Sequence, residues 1–238
     1  MSKLTVEQIK ARFDNDVERF SDITKGHQAA VDSTIALELI SSAALAVTPD
    51  ARSLLDVGCG GGNWTVKLLQ KRPGLDVTLL DLAPAMLERA RERALAAGAA
   101  TVATVQSDIR DVHLDRQFDI IIASAVLHHL RDPHEWLEAF RHFFDILTPG
   151  GSLWIYDLLD HELPEVANLM RESHGRHLIS LGGEAYRDEI FGNIEREDTP
   201  RPLTFQLDLL RDVGFERVDV LHKTSRFAAF GAAKGNSA

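Results

Sequence analysis

A short apolar run, Ser53 to Val57, ends in Gly58-Cys59-Gly60-Gly61-Gly62. No other feature restricts the fold of this chain so tightly. Glycines lack the Cβ atoms that hold a backbone away from a ligand, so a strand feeding such a turn lets main-chain atoms approach a bound molecule. A helix is expected directly afterwards, from Asn63 to about Lys71, stopped by Pro73-Gly74. Strand, glycine turn and helix in that order belong to parallel sheets covered by helices on both faces.

The chain repeats this alternation. Val77 to Leu80 is an apolar run closed by Asp81, and Pro84 and Gly98 bound the next helix. Val102 to Val105, Phe118 to Ser124 and Ser152 to Tyr156 read as further strands. Asp132-Pro133-His134-Glu135 is a helix start, with Asp132 as cap. A helix from about Pro202 ends at Gly214, and two final runs, Val218 to Leu221 and Phe227 to Phe230, suggest an antiparallel hairpin at the sheet edge. Before the first strand, Thr5 and Gln8 form a capping box, and Val6, Ile9, Phe13, Val17 and Phe20 mark one apolar helical face. A second helix is expected from about Ala29 to Val47. Residues 158–200 interrupt the alternation with a long polar, His-rich and helical stretch. The expectation is one domain over 1–238. It has an α/β Rossmann-like core of seven mostly parallel strands (51–157 and 201–234), a helical cap (1–50) and a helical lid (158–200).

Two details narrow the ligand. Asp56 lies two residues before Gly58, where a carboxylate would repel a pyrophosphate but suits an ammonium group. The spacing Gly-x-Gly-x-Gly puts Asn63 where a dinucleotide fingerprint wants a small residue. Asp81, 19 residues after Gly62, can accept both hydrogen bonds of a ribose diol. Asp108 can accept from an adenine amino group, with Ile109 or Leu82 packed on the ring. Each aspartate alone reads equally as a helix cap or a solvated turn. Together they place three carboxylates at the carboxyl ends of successive strands, where open parallel sheets bind ligands.

Asp56 to Gly62, Leu80 to Leu87, Ser107-Asp108-Ile109, Phe118 to Leu130 and Leu147 to Gly151 resemble, as a set, the successive motifs of class I S-adenosylmethionine-dependent methyltransferases. The resemblance is close over about residues 52–158 and architectural over 203–233. It implies the seven-stranded sheet with a terminal antiparallel hairpin and the cofactor S-adenosylmethionine, with S-adenosylhomocysteine as product. By similarity, Gly58 and Gly60 lie against the methionine part, Asp56 steadies its ammonium, Asp81 holds the ribose, and Asp108 with Ile109 holds the adenine. Gly62, Leu82 and Ser124 complete the expected cofactor set.

Acceptor contacts are expected at the ends of the fourth and fifth strands. His128 and His129 are candidates for a base, against a reading in which one caps a helix and the other packs beside Leu130. Asp157 is the other catalytic candidate, against a simple cap. The motifs of base-amine, cytosine-C5 and metal-assisted catechol enzymes are absent at Ser124. Asp157, Asp160, His161 and Glu162 resemble a metal cluster in composition only, and no metal is expected. Cys59 is read as a packing residue and Trp64 as core. Lys and Arg total 26 against 36 for Asp and Glu, a formal charge of −10, which disfavours a polynucleotide partner. The expected acceptor is a small molecule, and a homodimer is compatible with the class. A single cysteine and no long apolar run point to the cytoplasm, with no membrane association. Two alternatives remain open. One is a carboxy-S-adenosylmethionine synthase-like enzyme, in which Arg187 would hold an extra carboxylate. The other is a catalytically silent module that binds the cofactor.

Overall fold

The computed structural model describes residues 3–14, 16–22 and 28–236. The parts of the expected helical cap at 1–2, 15 and 23–27 lie outside these described residues. Strand β1 (Ser53–Val57) is buried at every position, and its side chains alternate between two cores. Leu54 packs on one side with Ile120, Ile122 and Trp154, while Leu55 and Val57 pack on the other with Ile121 and Ile155. That is the period-two pattern of a sheet covered on both faces.

The remaining strands are β2 (Asp76–Asp81), β3 (Thr101–Gln106), β4 (Phe118–Ser124), β5 (Leu147–Leu158), β6 (Arg217–Thr224) and β7 (Phe227–Ala233). They form one sheet in the order β3-β2-β1-β4-β5-β7-β6. All are parallel except β7, which runs antiparallel to both neighbours. The expected terminal hairpin forms, with β7 inside it. Every residue of β7 is buried, whereas β6 is largely exposed and takes the edge. At the opposite edge, β3 pairs on one side only and exposes much of its surface.

Helices follow the same division. α3 (Ser33–Val47), α4 (Asn63–Lys71) and α5 (Pro84–Ala96) cover one face; α6 (Pro133–Ile146) and α8 (Leu203–Asp212) cover the other. The Asp132 carboxylate caps α6 by accepting from the His134 and Glu135 amides at 2.8 and 3.0 Å. The Thr5–Gln8 box also forms, with reciprocal bonds of 3.0 and 3.3 Å.

Two elements depart from expectation. The single N-terminal helix is two, α1 (Val6–Asp14) and α2 (Val17–Ser21), and the break brings the Phe13 and Phe20 rings to 5.4 Å. The insertion forms a helical segment, α7 (Pro164–Glu197), broken at Gly182-Gly183, where Gly183 has φ +78°. The two arms fold back on each other, as Arg171 pairs with Glu195 at 2.8 Å and the His174 ring meets Phe191 edge-on at 5.4 Å. Among the described residues no helix is long and apolar enough to cross a membrane.

Candidate functional site

Strand order reverses at β1, where β2 leaves on one side and β4 on the other, so a crevice opens at their carboxyl ends. The glycine turn forms its floor. Gly58 has φ +64°, and a Cβ there would stand 2.6 Å from Val126 Cγ2. The missing side chain therefore makes room for the segment after β4 rather than for a ligand. Gly60 has φ +49° with open space where its Cβ would be. Its amide donates to Asp81 Oδ2 at 2.8 Å, and the Ala83 amide donates to Asp81 Oδ1 at 2.9 Å. One carboxylate thus pins the glycine turn to the end of β2.

A cavity of about 120 Å³ lies above this floor. Gly58, Gly60, Asp81, Leu82, Asp108 and Ile109 line it, and so does Ser124, whose Oγ has no partner among the described residues. Val6, Ile9, Phe13 and Phe20 of α1 and α2 close it from above. Two expected members stand elsewhere. Gly62 does not reach the cavity; a Cβ there would meet Ala90 of α5 at 3.1 Å, so its smallness serves helix packing. Asp56 lies beneath the turn rather than in the wall, fully buried.

The electrostatics of these carboxylates differ. Asp56 accepts from Thr65 Oγ1 at 2.6 Å through one oxygen, and the other has no partner among the described residues. Burial pushes its carboxyl up to about 7, against the opposing Thr65 bonds. Burial also raises Asp81, although three backbone amides oppose the shift. Asp108 is penalised by burial yet ends below the usual range, because Arg110 grips it through Nε at 2.8 Å and Nη2 at 2.6 Å. Arg110 was not singled out by the sequence. Burial pushes the Cys59 thiol up, consistent with a packing role. Trp64 is core-packed, its ring 5.8 Å from Tyr156, and also touches the cavity.

A second, larger cavity of about 550 Å³ adjoins the first, and Phe13, Phe20, Ala125 and His129 line both. Ala125 holds a left-handed φ of +51°, its amide bonded to Tyr156 O at 2.8 Å. That bend carries the chain from β4 into the 3₁₀ turn Leu127–His129. Asp157, expected just past the fifth strand, is inside β5, 1% exposed and in neither cavity wall. Its carboxylate instead holds His128, through Nδ1 and through the backbone amide at 3.1 Å. His128 lines the second cavity. Burial alone would lower its pKa, but the charges of Asp157 and Asp198 prevail and hold it up at about 9. His129 is pushed well below its usual value by burial and then by the adjacent His128 charge.

Asp198, just after α7, is a second residue of the candidate site that the sequence did not flag. Its Oδ1 lies 3.3 Å from His129 Nδ1 and 3.7 Å from His128 Nε2. Burial raises its carboxyl to about 6, with the His128 charge opposing. The segment reaches the site because the Thr199 amide donates to His128 O at 2.6 Å. No sequence spacing encodes that long-range contact. Arg12 also lines the cavity and pairs with Glu197 at 2.5 Å. Arg187 pairs with Asp188 at 2.8 Å and lines neither cavity, so the residue named for an extra carboxylate is not at the site. Nor do His161 and Glu162 line either cavity.

Residues 55–153 match a family model described as a methyltransferase domain. Trans-aconitate 2-methyltransferase of Escherichia coli (strain SE11) is 34% identical over 146 residues, covering 61% of this chain and 53% of that protein. Malonyl-[acyl-carrier protein] O-methyltransferase of Paenibacillus sp. (strain JDR-2) is 29% identical over 150 residues, covering 61% and 52%. The chain spans about half the length of the curated relatives it matches. Among solved structures, a DhpI–SAH complex aligns with TM-score 0.65 at 20% identity, covering 98% of both chains. The N-methyltransferase NodS from Bradyrhizobium japonicum WM9, in complex with S-adenosyl-L-homocysteine, aligns with TM-score 0.62 at 18% identity, covering 96% of this chain and 98% of that one. At those identities the likeness is one of fold.

Proposed function

We propose that the chain carries a class I S-adenosylmethionine-dependent methyltransferase domain, as the methyltransferase-domain match and the named methyltransferase relatives support, and that it transfers a methyl group from S-adenosylmethionine to a small-molecule acceptor. The observation that carries this reading is the pair of adjoining cavities meeting at Ala125, His129, Phe13 and Phe20. The smaller one takes the cofactor and the larger one the acceptor.

The residues present fit the cofactor. Ser124 Oγ lines the cavity without a partner among the described residues, and a bound polar group would satisfy it, whereas Asp56 lies beneath the turn and holds Thr65 rather than facing the methionine ammonium. Gly60 leaves open space above the turn. Asp81 accepts from Gly60 on Oδ2 and from Ala83 on Oδ1 and retains lone pairs for a ribose diol. Leu82 and Ile109 offer apolar walls for a base, with Asp108 and Ser124 as its polar neighbours. When bound, S-adenosylmethionine supplies a methyl group already electrophilic on its sulfonium.

The work left to this chain is alignment and exclusion of water, and positioning alone supplies up to about 7–11 kcal/mol of rate enhancement. Helices α1 and α2, Ala29 and Ala30, and the helical segment α7 cover the site and do that work. Phe13 and Phe20 wall both compartments, and Phe227 and Leu158 give the acceptor compartment its apolar side. Its polar side is His128, oriented by Asp157, with His129 and Asp198 beside it. Asp157 acts here as a positioning residue, and His128 meets the acceptor's polar atom.

Calorimetry tests the cofactor half. S-adenosylhomocysteine should bind, and Asp81→Ala should weaken it by about 1–3 kcal/mol, the cost of leaving buried polar groups unpaired. Binding of NAD without S-adenosylhomocysteine would overturn the reading. The acceptor half is tested by product mass after incubation with a panel that starts from trans-aconitate and malonyl-[acyl-carrier protein], which appear in the relatives' names. With the true acceptor, Asp157→Asn should lower turnover while leaving cofactor affinity intact.

A further inference from the structure

Three side chains that no established role accounts for converge at the polar end of the larger cavity. Asp198 is 9% exposed, and its Oδ1 makes no hydrogen bond among the described residues. It points between two imidazoles, 3.3 Å from His129 Nδ1 and 3.7 Å from His128 Nε2. His129 Nδ1 likewise has no hydrogen-bond partner among the described residues. The three ligand-type atoms all lie within 4.8 Å of one another. Two buried, facing, unsatisfied groups from distant parts of the chain are costly, and a shared ligand would satisfy both.

We propose that His128 Nε2, His129 Nδ1 and Asp198 Oδ1 form a three-ligand site for a divalent transition-metal ion of the zinc class, with its open position facing the acceptor compartment.

The spacing suits such an ion. Bonds of ~2.0–2.1 Å in a tetrahedral arrangement place ligand atoms about 3.3 Å apart. One pair already matches and a second is close; closing the third needs a side-chain shift on the order of 1 Å. The donor set, two imidazoles and one carboxylate, suits zinc and its borderline neighbours rather than calcium or magnesium, which prefer all-oxygen shells. Asp157 supplies the outer support. It holds His128 Nδ1, so that Nε2 is the nitrogen left to face the site. A carboxylate behind a ligating histidine is the usual way such rings are oriented. The local charge also favours a cation: Glu197 adds a further buried carboxylate, though Arg12 partly neutralises it and Lys3 bonds the Asp198 carbonyl. All three ligands line the larger cavity, so three protein ligands and one open position give the form of a catalytic rather than a structural site. The ion would polarise a carbonyl, carboxyl or hydroxyl oxygen of the acceptor.

The inference deepens the proposed function, since the acceptor's polar atom would then meet the ion rather than the imidazole edge. The His128 Nε2 proton leaves to solvent as the ion binds, so binding should strengthen as pH rises. The test does not depend on methyl transfer. Ligand-free protein is stripped with chelator and titrated with zinc chloride by calorimetry, and the bound metal is counted by mass spectrometry after dialysis. One ion per chain is expected, and cobalt in its place should give the visible spectrum of a tetrahedral complex. His129→Gln and Asp198→Asn should each remove binding, and Asp157→Asn should weaken it about 10–100-fold. His222→Gln, at a surface pair with Asp32, should leave it unchanged. Circular dichroism of each variant confirms folding, and a variant that misfolds is replaced by the other of the two ligand substitutions. No binding at micromolar zinc, or binding that survives both ligand substitutions, overturns the proposal. An intact metal site with no methyl transfer to any acceptor would instead count against the proposed function.

Discussion

Asp56 should limit the stability of the ligand-free protein above neutral pH, and Asp56→Asn should relieve that limit. The carboxyl is fully buried, donated to by Thr65 Oγ1 on one side and without a partner among the described residues on the other. Burial holds its folded pKa at about 7, with the nearby Asp81 charge adding a small push in the same direction. In the unfolded chain an aspartate titrates near ~3.9. Below that pH both states are protonated and nothing is lost. Between ~3.9 and about 7 the folded state keeps a proton that the unfolded state releases, so stability falls as pH rises. Above about 7 the loss is complete. Three pH units at ~1.4 kcal/mol each give about 4 kcal/mol. Asparagine keeps the shape and the acceptor for Thr65 without the charge. Urea unfolding at about pH 5 and about pH 8.5 should therefore show the variant gaining on the parent by a few kcal/mol at the higher pH, with a much smaller gain at the lower. A stability difference independent of pH would refute the reasoning about burial.

His174 should set an acid limit of its own. It is 1% exposed, donates from Nε2 to Ala29 O at 2.9 Å, and packs against Phe191 and Phe227. Burial first, and then the charges of Arg226, His177 and Arg171, hold it down at about 4, with the Ala29 bond opposing. Its folded pKa lies below the unfolded value of ~6.5, so its contribution is present above ~6.5 and is lost as pH falls toward about 4. Thermal unfolding should show a loss on the order of 3 kcal/mol across that window, and His174→Gln should flatten it. At the glycine turn, Gly58→Ala should cost more than Gly60→Ala. The first adds a Cβ 2.6 Å from Val126 at φ +64°, while the second meets nothing within 4 Å at φ +49°. Melting curves should separate the two by about 1–3 kcal/mol, the usual penalty of overpacking, and equal losses would show that backbone strain alone governs the turn.

The core of this protein was legible from local chemistry. Alternating apolar strands, the glycine turn, Asp81 at a strand end and the Asp132 cap each act through neighbours in sequence, and all stand where the residues put them. The candidate site was legible only in part. Gly60, Asp81, Leu82, Asp108, Ile109 and Ser124 reach one cavity because parallel strands deliver their carboxyl ends to one edge. Gly62 and Asp56 do not line it, since a glycine serves helix packing as readily as ligand approach, and sequence cannot tell which neighbour fills the space. The polar end of the larger cavity was decided by tertiary structure alone. Asp157 and His128 are 29 residues apart, and Asp198 comes from beyond a helical hairpin whose direction turns on Gly182-Gly183. Contacts of that kind depend on how whole elements pack, and no short-range periodicity records where a distant carboxylate will arrive.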